Sequence, residues 1–275
     1  MLIGDKNCDK CGSSYDIARD TCPACNTPNE EKKAHKSMKW ILFLSPLKQL
    51  SLFLVGFVVL QVLGFLVSSV LDNFMSAEEV RYHVITNWVC YGVILIACCL
   101  IIFKDFKLFK RFVTNPIPYA IGLGAGALLF VLSLSYNAIT SLLIPHEVNE
   151  NQSIANAMMS GFPISSIIVI GFIGPICEEI TYRLGMYSFL RRINKWVAYG
   201  VTILFFAVIH INFFSEDLLS ELISLPSYLL AGFTFCILYE KCGIAGSLTA
   251  HITNNLAGVL ITILINLIRI LYGAA

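Results

Sequence analysis

Long apolar runs alternate with short polar connections from residue 50 to the carboxyl terminus. A helix needs about 20 predominantly apolar residues to cross a bilayer core. Seven stretches meet that length: 50–71, 84–103, 117–143, 162–190, 196–212, 218–238 and 244–271. Several exceed it, which implies tilt or kinks. An eighth helix would follow if the last stretch broke near Gly258 or if residues 38–47 inserted separately. The segment 104–113 (KDFKLFKRFV) is amphipathic and is expected to lie at the interface.

Composition agrees with this pattern. Of the residues, 57% are apolar and 13% charged, and mean hydropathy is +0.75. Soluble domains carry roughly 25% charged residues. An ordinary cytosolic enzyme, a disordered chain and a nucleic-acid binder with a basic surface are therefore excluded. The fold class expected is an all-α polytopic membrane protein, a bundle of seven or eight transmembrane helices with a small amino-terminal module.

Charge is concentrated at the amino terminus, where residues 1–48 hold 14 of the 37 charged side chains. No apolar signal sequence opens the chain, so this head is expected to stay on the side of synthesis. The basic residues then fall on alternate connections. Lys32, Lys33, Lys36, Lys39 and Lys48 precede the first span, and Lys104, Lys107, Lys110 and Arg111 follow the second. Arg191, Arg192 and Lys195 follow the fourth, and Lys241 follows the sixth. The other connections hold Arg81 and otherwise acids, including Asp72, Glu78, Glu147 and Glu216. The positive-inside rule then places the amino terminus in the cytoplasm of a multi-pass cell-membrane protein. Expected boundaries are 1–28 for the head, 29–48 for a charged linker, 49–160 for amino-terminal membrane helices and 161–275 for a functional membrane core.

Within the head, Cys8, Cys11, Cys22 and Cys25 read C-x2-C, ten residues, C-x2-C. Four thiolates at this spacing close a tetrahedron around a structural zinc ion, which suits a zinc ribbon. The ten-residue spacer is long enough for a hairpin, and Gly12 suits a turn that needs positive φ. So short a segment cannot build a sufficient core without such a staple. Two disulfides are the other reading, disfavoured in a reducing compartment.

Ionisable groups within spans cost about 2.5–3.5 kcal/mol each on insertion scales, and they mark function. Five stand in the carboxyl-terminal half: Glu178, Glu179, Arg183, His210 and His251. Glu179 and Arg183 are i, i+4, the favourable order for an ion pair within one helix. Glu178 lies about 100° around the helix and is left unpaired. Pro175 just before it bends the helix and could open a wet pocket. Phe206 and His210, and likewise His251 and Asn255, share a face at i, i+4. With a rise of ~1.5 Å per residue, Glu178, His210, His251 and Asn255 all fall near the bilayer middle. Tyr182, Asn137 and Asn254 receive no role.

In order along the chain the residues read E-E-x3-R, F-x3-H and H-x3-N on successive membrane helices. This set, over roughly residues 162–260, resembles the CPBP (Abi) family of intramembrane proteases, which includes the CAAX prenyl endopeptidases. The resemblance implies an endopeptidase that hydrolyses a peptide bond of a membrane-associated peptide or protein. It implies that Glu178 activates the water and His210 orients it or passes its proton. His251 and Asn255 would donate to the oxyanion, with Glu179 and Arg183 supporting Glu178. The residue chemistry is compatible with this: no G-x-S-x-G elbow or H-E-x-x-H helix is present, and a thiolate at Cys177 would be repelled by two acids. A catalytic zinc on two histidines and a carboxylate remains a second option. Partners expected are such a substrate and the lipid bilayer, with no nucleic acid. The rival readings are a non-catalytic interaction protein, as in bacteriocin immunity, and a proton- or ion-coupled transporter.

Overall fold

The computed structural model describes residues 5–16, 19–29, 41–106 and 114–273. Most of the charged linker, including Lys32, Lys33, Lys36 and Lys39, lies outside the described residues, as does most of the amphipathic segment, including Lys107, Lys110 and Arg111. The chain divides into two compact units, Met1–Phe43 and Leu44–Ala275.

In the first unit, strands β1 (Asp5–Asn7) and β2 (Ser14–Asp16) pair antiparallel, with Lys6 opposite Tyr15. This hairpin straddles the first cysteine pair; it is not built from the ten-residue spacer between the pairs. Two knuckles of the same geometry follow. Gly12 N–H donates to the Cys8 carbonyl at 2.8 Å, and Asn26 N–H to the Cys22 carbonyl at 2.9 Å. The fourth residue after each leading cysteine has positive φ, 73° at Gly12 and 55° at Asn26. Glycine adopts that conformation freely, and asparagine is among the few side chains that tolerate it. Cys8, Tyr15 and Cys22 form the small buried core, with Cys25 packed against it.

Seven helices follow among the described residues. They are α1 (Pro46–Leu71), α2 (Val80–Asp105), α3 (Ile117–Leu143), α4 (Glu150–Gly161), α5 (Pro163–Arg191), α6 (Lys195–Val208) and α7 (Leu218–Leu271). Their starts follow from capping chemistry. The side chains of Ser45, Asn149, Asn194 and Asp217 accept from backbone N–H groups in the first turns of α1, α4, α6 and α7. Each thereby satisfies donors that the helix itself leaves free.

Five helices are long and apolar enough to cross a membrane: α1, α2, α3, α5 and α7. α7 runs as one 54-residue element but breaks at Gly243 (φ 78°, ψ −174°), a conformation that only glycine adopts readily. The break makes a helical hairpin. Ser247 Oγ lies 3.1 Å from the Phe235 carbonyl, and the His251 ring stacks on Phe235 at 4.3 Å. The arms 218–242 and 244–271 thus correspond to the sixth and seventh apolar runs. Residues 244–271 continue unbroken past Gly258.

Three features depart from the hydropathy reading. Residues 150–161, too polar to register as a span, form α4. The fifth run ends early: α6 stops at Val208, after about 21 Å at 1.5 Å per residue, and His210 lies in the turn beyond it. The reason is local. Glu221 accepts from Asn212 N–H at 2.9 Å, which draws the chain off the helical path, and His210 Nδ1 lies 2.6 Å from the Phe206 carbonyl that the helix leaves free. Third, α5 is π-helical over Val169–Ile173 and Glu179–Tyr187. The first π segment runs up to Gly174, just ahead of Pro175, and absorbs the missing proline donor.

α5 is the centre of the bundle. Half of its apolar window is buried, against 6–22% for the other four spans, whose apolar faces are left for lipid. Its Tyr182 and Met186 join Leu129, Phe206, Phe235, Leu238 and Ala250 in the core. α3 meets the second arm of α7 through small residues. A Cβ at Gly126 would stand 2.4 Å from the Ala250 carbonyl, and one at Gly122 would stand 2.5 Å from that of Gly246. Backbone-to-backbone approach of this kind is how apolar helices gain contact inside lipid.

Candidate active site

α5 carries the two acids on adjacent faces, and their surroundings differ. Glu179 is fully buried and points toward the second arm of α7. Ser247 Oγ donates a short hydrogen bond to its Oε2, and His251 Nδ1 lies 3.0 Å from its Oε1. Arg183 Nε is 3.5 Å from Oε2, with both side chains 0% exposed. The Arg183 guanidinium is otherwise held by rings, 4.6 Å from the Phe206 centroid and 5.3 Å from that of Phe235. Such cation–π contact partly replaces the missing hydrogen-bond acceptors of its terminal nitrogens. Glu179 is thus a structural anion, saturated by three partners.

Glu178 differs. Its side chain is 17% exposed and lines a cavity of about 160 Å³. His251 Nε2 stands 3.7 Å from its Oε2, and the Tyr91 hydroxyl 3.5 Å from its Oε1. His251 therefore bridges the two acids, with Nδ1 on the buried one and Nε2 toward the free one. A histidine oriented by a carboxylate on one ring nitrogen presents a defined second nitrogen to the site.

The cavity wall is formed by Gly56, Leu60 and Gln61 of α1, Tyr91 and Ile94 of α2, and Asn151 of α4. Cys177, Glu178, Thr181 and Tyr182 of α5 complete it with Ile209 and His210. Gly56 lies against Thr181 so closely that a Cβ would overlap its hydroxyl at 1.7 Å. His210 is held from outside α6 as well as by Phe206. Its ring stacks on Tyr228 at 4.6 Å and 20°, and its carbonyl accepts from the Asn149 amide at 3.1 Å. Asn151 donates to the Tyr228 hydroxyl at 3.1 Å.

Of the six residues singled out by the sequence, the structure brings five into one connected group: Glu178, Glu179, Arg183, His210 and His251. Asn255 stands one turn beyond His251, where its amide donates to the Ile170 carbonyl at 3.3 Å and its oxygen accepts from Asn254 at 3.1 Å. It does not line the cavity. Sequence reasoning passed over Tyr91, Gln61, Asn151, Tyr228 and Ser247. Gln61 alone carried a signal, an amide inside an otherwise apolar run. The others are neutral side chains that mark nothing until helices are packed.

Metal-ligand geometry distinguishes the two units. The Sγ atoms of Cys8, Cys11, Cys22 and Cys25 lie within 4.8 Å of one another, with Cys8–Cys25 at 3.5 Å and Cys11–Cys22 at 3.6 Å. Four sulfurs at ~2.3 Å around one zinc ion stand about 3.8 Å apart, so the set could hold zinc. Hydrogen bonds from the Ser13 side chain and backbone lower the Cys11 thiol to about 6, toward the thiolate that a metal requires. Among the described residues no second group of three or more His, Cys, Asp or Glu ligand atoms comes together in this way. His210, His251 and Glu178 do not form a ligand set.

A partly exposed carboxylate thus stands beside an oriented histidine, on a cavity between apolar helices. Residues 160–257 match the family model described as type II CAAX prenyl endopeptidase Rce1-like. That segment contains all six motif residues, and this part of the chain is similar to that protease family. No curated protein and no solved structure matches the chain.

Proposed function

We propose that the protein is an intramembrane endopeptidase that hydrolyses a peptide bond of a membrane-associated substrate through water activated by Glu178. The observation that carries this reading is the asymmetry of the two acids: Glu179 is saturated by Ser247, His251 and Arg183, whereas Glu178 faces the cavity with His251 Nε2 alongside. A base must be able to take a proton from water, which a carboxylate locked by three partners cannot do.

Water between Glu178 and a substrate carbonyl gives its proton to the carboxylate as its oxygen bonds to the carbonyl carbon. The carbonyl π pair moves to oxygen. On collapse the proton passes from Glu178 to the departing nitrogen, the C–N bond breaks, and a carboxylic acid and an amine form, the acid then giving its proton to the amine. His251 Nε2 stands 3.7 Å from Glu178, and His210 borders the same space. The alternation of basic and acidic connections supports a multi-pass arrangement with the amino terminus in the cytoplasm. The four cysteines hold a structural zinc there.

The test uses the purified full chain in proteoliposomes with a farnesylated CaaX peptide, products being identified by mass spectrometry. Cleavage by wild type and a loss of about 10²–10⁴-fold in Glu178→Gln is expected. Cleavage by that variant at the wild-type rate would falsify the base assignment. Absence of cleavage by wild type would favour a non-catalytic interaction protein.

A further inference from the structure

We infer that Gln61 of α1 binds the backbone of the substrate, its side-chain amide pairing with a peptide group that flanks the scissile one. This inference rests on the endopeptidase reading above and adds a residue from outside the matched segment 160–257.

The register of α1 against α5 brings Gln61 level with the proposed base. A Cβ at Gly185 would stand 2.8 Å from the Phe53 backbone nitrogen, and one at Gly56 would stand 1.7 Å from Thr181 Oγ1. The contact thus advances along α1 as it retreats along α5, so the two helices run antiparallel. One further turn of each, about 4 residues, brings 60–61 opposite 177–178. Leu60, Gln61, Cys177 and Glu178 accordingly share the cavity wall. α1 is π-helical over Val55–Val59, immediately before this point. A π turn carries an extra residue, which changes the face that the residues after it present.

Gln61 is the only polar side chain between Ser51 and Ser68. An amide at membrane depth needs a partner, because lipid offers none. Among the described residues its amide has no hydrogen-bond partner. Of the residues on the cavity wall, only Gln61 and Asn151 are exposed, the others being buried or half-buried. The cavity therefore opens at these two, and a substrate reaching Glu178 passes them. The Asn151 amide already donates to the Tyr228 hydroxyl at 3.1 Å. Gln61 keeps both N–H donors and its carbonyl acceptor. A peptide group offers one N–H and one C=O, the complement of that set. An extended chain with its scissile carbonyl at Glu178 carries its next peptide groups about 3.3 Å to either side. One of them then meets the side chain beside Glu178 on the wall. The contact is the same before and during hydrolysis, so it contributes to binding and not to the chemical step.

The experiment uses the full chain, the farnesylated CaaX peptide and Gln61→Met, which keeps the length of the side chain without its hydrogen bonds. Cleavage kinetics are measured in proteoliposomes. Affinity is measured in the Glu178→Gln background, from labelled peptide displaced by excess unlabelled peptide. Both are repeated on two peptides with an ester in place of the amide before or after the scissile one, which removes its N–H. The expected result for Gln61→Met is a KM rise and an affinity loss of about 3–10-fold, with kcat within about twofold. One of the two esters should cost the parent a similar factor and cost Gln61→Met nothing further. Unchanged KM and affinity in Gln61→Met, or a loss to which both esters add in full, overturns the contact. If wild type cleaves the peptide and Gln61→Met matches it, only Gln61 falls. If the peptide binds with the expected dependence on Gln61 but wild type does not cleave it, the endopeptidase reading falls and the contact stands. If the peptide is neither bound nor cleaved, both fall.

Discussion

Replacing Gly126 by alanine adds one methyl group where α3 meets the second arm of α7. The new Cβ would lie 2.4 Å from the Ala250 carbonyl oxygen, 2.9 Å from Ala250 Cα and 2.8 Å from Thr253 Cβ. Two of these are backbone atoms, so no side-chain rotation relieves the clash. Restoring ordinary contact at about 3.5 Å requires the helices to part by about 1 Å. Overpacking of this kind costs about 1–3 kcal/mol. At roughly 2–4 °C per kcal/mol for a chain near this size, the melting temperature in detergent should fall by about 2–12 °C. The displaced backbone is that of residue 250, next to His251, whose Nδ1 holds Glu179 at 3.0 Å. A 1 Å misplacement can cost about 10²-fold in rate, so cleavage should fall by that order as well. Gly124→Ala is the control: on the same helix, its Cβ meets nothing within 4 Å. It shares the helix-propensity change without the clash. Equal melting temperatures and rates for the two variants would refute the close-packing argument and the coupling of α3 to the site.

Two further outcomes follow from the geometry. Elemental analysis of the full chain should find one zinc per chain at pH 7.5 and none in Cys22→Ser; because the ligands bind as thiolates, lowering the pH should release the zinc as acid protonates the sulfurs. Tyr228→Ala, which removes the ring stacked on His210, should lower kcat with KM little changed, whereas Tyr228→Phe keeps the stack and should recover most of the rate; equal loss in both variants would assign the effect to the hydroxyl and its bonds from Asn149 and Asn151.

Much of the candidate site was legible before any folding was considered. Glu178, Glu179, Arg183, His210 and His251 stand out because charge inside an apolar run is costly and so carries information. The Glu179–Arg183 pair follows from helical spacing alone. The neutral participants were not legible by that route. Tyr91, Tyr228 and Ser247 pay no insertion penalty that would flag them, and each acts on a residue between 18 and 87 positions away in sequence. The placement of His210 was misread for a related reason. Its i, i+4 spacing from Phe206 holds only if the helix continues, and a buried carboxylate at Glu221 decides that it does not.

By itself, then, the order of residues determined the membrane class, the count and limits of most apolar helices, the metal-type spacing of Cys8, Cys11, Cys22 and Cys25, and the acids that cannot lie in lipid unpaired. These depend on local periodicity and transfer cost, which each segment carries independently of the others. Tertiary structure decided which acid is saturated and which is free, that the chain doubles back at Gly243 to bring His251 between them, and that a tyrosine from α2 shares the cavity. Those outcomes depend on contacts between segments distant along the chain, and no property of either segment alone specifies them.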